Sequence, residues 1–150
     1  MGTPPEPGLR RRALVAKFPR LGAGHLELTS PRDIAYNCIA YAAGDTERCW
    51  HPSDFACLYW PGGYTEDGMD AWIAAFETLG YAPCESAELE PGIEKVAIYA
   101  QGEWPLHAAR QLPSGRWTSK LGDKEDIEHD LEGLAGREYG TVSVILARPA

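Results

Sequence analysis

Apolar positions recur at helical spacing in two stretches of the chain and as short strand-like runs in its second half. In "EDGMDAWIAAFETLG", Met69, Trp72, Ile73 and Phe76 fall on one face and Gly80 closes the run, which predicts an amphipathic helix. "TSPRDIAYNCIAYAAGD" predicts a second helix. Ser30, Pro31 and Asp33 form a capping-box-like start, Ile34, Cys38, Ile39 and Ala42 keep the spacing, and Gly44 is a natural stop. A break before Asn37, with the helix proper beginning near Cys38, fits the same residues. From Tyr81 the texture changes. "KVAIYA", "PLHAARQL" and "WTSKLG" are short runs separated by "QGEW" and "PSGR", which predicts an antiparallel meander over residues 95 to 121. "DKEDIEHDLEGLAG" reads as a polar helix and "TVSVILAR" as a final buried strand. Helices followed by hairpin-linked strands predict an α+β fold. Residues 1–28 read as an irregular arm ahead of one domain spanning 29–150.

Composition narrows the function classes. The net charge of −8 argues against nucleic acid as the main partner, because "RRR" at 10 to 12 is the only basic cluster. No run approaches the ~20 apolar residues of a membrane helix. The N-terminal "MGTPPEPGLRRRALVAKF" is too short and interrupted for a signal peptide, so a cytoplasmic protein of bacterial type is expected, without membrane association. In that compartment Cys38, Cys49, Cys57 and Cys84 are expected to be thiols rather than two disulfides.

Candidate chemistry centres on Cys38 and His107. A thiolate nucleophile needs a base or cation nearby, and a helix start lowers its pKa further. His107 sits in a strand run, where a titratable side chain needs a reason to be; a solvent-facing histidine and a core cysteine are the bland alternatives. "CWHPSDFAC" has no familiar zinc spacing, and Asp126, His129 and Asp130 at helical spacing are explained by a solvated acidic face, so no metal and no cofactor are expected. A Ser119–Lys120 dyad fails because adjacent strand residues point to opposite faces.

"NCIAYA" followed by "KVAIYAQGEWPLHAA" resembles the papain-like amidases of the NlpC and CHAP type. The resemblance implies a nucleophilic Cys38 at the start of a helix packed on an antiparallel meander. The "VAIY" and "HAA" segments match that pattern, but the strand head that usually carries the base is Lys95. Either the domain is a non-catalytic relative, or His107 is itself the base, with Asp123 as its orienting partner and Asn37 as a weaker candidate. The stretch from about 30 to 148 also resembles a bacterial family known as a domain of unknown function.

Two functions are therefore expected in competition. The first is a thiol hydrolase or transferase acting on an amide or isopeptide bond of an intracellular peptide or protein, with Cys38 as nucleophile and His107 as base. The second is a non-catalytic module that holds a protein or peptide partner in an aromatic cleft. Trp50, Tyr59, Trp60 and Tyr64, in the long loop "RCWHPSDFACLYWPGGY", would roof that cleft. Asn37, Lys95 and Trp117 complete the expected substrate-binding set in either case.

Overall fold

The computed structural model describes residues 7–52, 59–122 and 124–150. Its centre is a seven-stranded antiparallel sheet in the order β1-β6-β5-β4-β3-β7-β2. The strands are β1 (Leu26–Leu28), β2 (Ala82–Cys84), β3 (Ile93–Gln101), β4 (Trp104–Gln111), β5 (Trp117–Lys120), β6 (Asp126–His129) and β7 (Thr141–Pro149). Three helices accompany it, α1 (Pro7–Lys17), α2 (Cys38–Ala42) and α3 (Met69–Glu77), with 3-10 turns at Pro19–Ala23 and Leu131–Leu134.

The sheet buries both faces. Val96, Ile98, Ala108 and Leu146 pack with Tyr36, Ile39, Ala40, Trp72, Phe76 and Tyr81, under α2 and α3. The alternate residues Ala97, Tyr99, Ala109, Trp117, Ile127 and Ile145 pack with Leu14, Phe18, Leu21, Leu26 and Leu134 on the other side. Double-sided burial explains why "VAIYA" is a continuous apolar run rather than an alternating one.

The meander over β3, β4 and β5, the α3 helix and the β7 strand form where their patterns predicted them. The papain-like α+β arrangement does not. The three-strand meander is only the middle of an open seven-stranded sheet, and α2 is a single turn of five residues rather than a long central helix. The molecule is β-rich. Two local misreadings contribute to this. Residues 126–129, read as helix, pair as β6 between β5 and β1, with Ile127 and His129 buried on one face. Much of the segment expected to be an irregular arm folds as α1, a 3-10 turn and β1. It carries Leu14, Phe18, Leu21 and Leu26 into the second core, where each contributes roughly 1.5–3 kcal/mol of burial. Arg10 fixes α1 by a two-pronged bond to Glu125, at 2.5 and 2.8 Å.

Candidate binding site

Cys38 is the first residue of α2, and Asn37 is the N-cap. The Asn37 carboxamide oxygen accepts from the backbone N–H of Ala40 at 3.3 Å and of Trp50 at 3.1 Å, while its amide donates to the Trp50 carbonyl at 2.8 Å. Asn37 therefore ties the helix start to the loop that follows it. Cys38 is partly exposed as a residue, but its sulfur lies in a dense shell of protein atoms. Desolvation pushes its pKa up to about 11, although backbone N–H groups of Ala108 and Ile39 pull the other way. A five-residue helix adds little dipole to oppose that. The thiol is protonated at neutral pH.

His107 is fully buried. Its ring stacks on Tyr139 with centroids 4.2 Å apart and meets Tyr99 edge-on at 5.4 Å. Its Nε2 lies 3.0 Å from the Ser119 hydroxyl, which lies 2.7 Å from His129 Nε2. His129 Nδ1 is 2.8 Å from the Asp130 carbonyl, an acceptor only, so that nitrogen carries the proton. The chain then runs one way: His107 Nε2–H donates to Ser119, and the Ser119 hydroxyl donates to His129 Nε2. Burial lowers the pKa of both imidazoles, His129 to about 4. Cys38 and His107 share no hydrogen bond among the described residues, and each has its own partners. Lys120, next to Ser119, points the other way, with its ammonium 4.6 Å over the Tyr36 ring.

Lys95 is a buried fastener. Its ammonium donates to the carbonyls of Ser86 at 2.7 Å and Glu88 at 2.8 Å, and pairs with Glu90 at 2.6 Å, pinning the loop before β3. Trp117 is buried in the second core and Trp50 in the first. Tyr59 and Trp60 are half-buried against Trp50, with ring centroids 5.2 and 6.4 Å from it. These aromatics pack with one another, and Trp50 and Tyr59 also line an open hollow with Asp45, Arg48 and Leu79. Asp123 and Cys57 lie outside the described residues. Asp126 and His129, once read as a helical pair, point to opposite sheet faces toward Tyr36 and Ser119. Among the described residues, the grouping a metal could engage is His25, Glu27 and Glu128, whose ligand atoms lie within 4.8 Å of one another. In it, His25 Nε2 already bonds Glu128 at 2.7 Å.

A different surface collects exposed aromatic and charged groups. Trp104 and Tyr64 are among the few exposed large apolar side chains, at 54% and 46%. They line a groove of about 580 Å³ together with Glu66, Asp67, Asp70 and Glu103. Gly102 makes this possible: it takes a positive φ of 59° in the tight turn between β3 and β4, which sets Glu103 and Trp104 at the tip. Asp67 accepts from its neighbour's N–H at 2.9 Å and from the Trp72 indole at 2.7 Å, which fixes the loop against α3. No Lys or Arg lines the groove, and no ion pair engages its four carboxylates among the described residues. Of these residues, the sequence reading had singled out only Tyr64. The signal was the acid-rich run "YTEDGMD" and an aromatic in the "QGEW" turn, a place where a large apolar side chain has little core to fill.

The family model described as "Domain of unknown function (DUF7689)" matches residues 27–147. The chain belongs to the DUF7689 family. The match reaches from within β1 to within β7 and so touches every strand of this DUF7689 domain. It carries no tie to the NlpC- or CHAP-type amidases. Comparison with curated proteins gives no match, and neither does comparison with solved structures. No helix among the described residues of this DUF7689 protein is long and apolar enough to cross a membrane.

Proposed function

We propose that this domain is a non-catalytic binding module that captures a lysine- or arginine-rich segment of a partner protein in the groove between Tyr64 and Trp104. The observation that carries this reading is the pairing of two exposed aromatic rings with four carboxylates that no cation of the described chain engages. A cationic side chain gains ring-face attraction from Trp and Tyr and Coulomb attraction from the acids. The net charge of −8 steers such a segment inward. The thiol-hydrolase reading draws little support from the bonds present, since Cys38 is a desolvated thiol and His107 Nε2 is hydrogen-bonded to Ser119.

Isothermal titration with a short Lys/Arg-rich peptide and its acetyl-lysine/citrulline counterpart tests the proposal. The basic peptide should bind, and the neutralised one should bind at least about tenfold more weakly. Trp104→Ala and Asp70→Asn should each reduce the affinity of the basic peptide. Equal affinity for both peptides, or full affinity in Trp104→Ala, would refute the reading.

A further inference from the structure

A second groove, independent of the one just described, lies at the end of the sheet where β3 begins and β4 finishes. It has a volume of about 580 Å³, and its lining includes Leu89, Pro91, Ile93, Leu112, Pro113 and Arg110. Most of that wall is apolar, and Leu89 stands 47% exposed within it. The charged side chains in the wall are Glu90, Glu94 and Arg110, and Ala150, whose N–H donates to the Gly92 carbonyl at 2.8 Å, also lines it. Glu90 is held by Lys95 at 2.6 Å and Glu94 by Arg148 at 3.0 Å, so each acid already has its cation. Arg110 has none.

What sets Arg110 apart from the other arginines without an acid among the described residues is that its Nε is buried. Its guanidinium makes no hydrogen bond or ion pair among the described residues, and its Nε is buried without a partner. Its neighbour is the Tyr41 ring, with the guanidinium carbon 5.4 Å from the centroid. Arg110 is also held in place. It sits mid-sheet in register between Val96 of β3 and Thr118 of β5, and Tyr41 is itself fixed by a 2.9 Å hydrogen bond to Thr118. A buried Nε–H left without an acceptor is costly, and the planar fork is matched by a carboxylate.

We infer that this groove binds a small apolar carboxylic acid, its carboxylate on Arg110 and its hydrocarbon body along Leu89, Ile93 and Leu112. A single guanidinium matches a single negative charge. The largely apolar lining suits an acid with a hydrocarbon body better than an inorganic anion. The volume suits a compact organic acid rather than a polymer.

The test compares octanoate with octanamide, and 3-phenylpropionate with its amide, by titration calorimetry and by methyl NMR. Wild type, Arg110→Gln and Trp104→Ala are the proteins. Wild type should prefer each acid over its amide by at least about tenfold, with methyl shifts at Ile93 and Leu112. Arg110→Gln should erase that preference, and Trp104→Ala should leave it intact, which separates this site from the Tyr64–Trp104 groove. Should Arg110→Gln fail to fold, the acid-over-amide preference and the location of the methyl shifts in wild type decide alone. Equal binding of acid and amide, no binding of either, or shifts elsewhere would overturn the inference.

Discussion

Single residues that looked like chemistry turn out to have structural work. Lys95, at the strand head where a base was sought, satisfies two loop carbonyls and a carboxylate from a fully buried position. Lys95→Met should lower stability by about 1–3 kcal/mol in urea denaturation, because Ser86 and Glu88 lose their donor. An unchanged midpoint would mean the loop does not depend on it. Cys38 was expected to have a depressed pKa, but desolvation outweighs the short helix start, and the value rises to about 11. Its alkylation should therefore be the slowest of Cys38, Cys49 and Cys84 at pH 7.5, should climb steeply toward pH 11, and should not change in His107→Ala. Fast labelling of Cys38 near neutrality, followed by mass spectrometry, would contradict this. The identity of the residue was legible in the sequence; its solvation was not, because burial is set by the packing of distant parts of the chain around it.

Among the elements, those with a long periodic signal were legible and those made by distant pairing were not. β3, β4, β5 and β7 carry continuous apolar or alternating runs bounded by turns, and α3 carries an unbroken apolar face. Of the two helix starts that the sequence allows, at Ser30 or near Cys38 after a break before Asn37, the structure takes the second. Ser30 spends its hydroxyl on the Asp126 N–H at 3.1 Å, and Thr29 donates to the Asp126 carbonyl at 2.9 Å, so the backbone there extends the β1–β6 ladder instead of turning. In the same way "DIEH" has strand alternation, masked by acidic residues that favour helix, and pairing on both sides decides it. Gly140 shows another constraint invisible from pattern alone: a Cβ there would meet the Ala100 carbonyl oxygen at 2.1 Å, so the turn into β7 admits only glycine. The hydrogen-bonded chain from His107 through Ser119 to His129 joins β4, β5 and β6 and sets a pH dependence. Both folded imidazoles have pKa values below the ordinary 6.5, His129 at about 4, so the unfolded chain binds more protons. Their contribution is complete above pH 6.5 and is lost as pH falls toward 4. His129 alone should account for roughly 3 kcal/mol of that loss. Urea midpoints measured from pH 7.5 to 4.5 should be flat above 6.5 and fall below it; a flat profile down to 4.5 would mean the imidazoles are not buried as neutral groups.

For the molecule as a whole, an acidic, β-rich domain covered on both sheet faces leaves its chemistry to its rims. The seven-stranded order brings the β3–β4 turn beside the loop before α3, and this juxtaposition of Trp104 with Tyr64 and four acids could not be read from residues some forty positions apart. Of the expected cleft aromatics, Trp50 proves to be core, a burial that its aromatic character alone did not reveal. Long-range attraction from the net charge of −8 should make capture of a basic segment sensitive to salt, with affinity falling as ionic strength rises from 20 to about 300 mM. Salt-independent affinity would argue for an apolar contact alone. The most direct test of the binding account is to map where a Lys/Arg-rich peptide lands on the isotope-labelled domain by amide chemical shifts. The account predicts shifts concentrated at residues 64–71 and 102–104, absent in Trp104→Ala. Shifts centred on Cys38 and α2, or spread evenly over the surface, would contradict it.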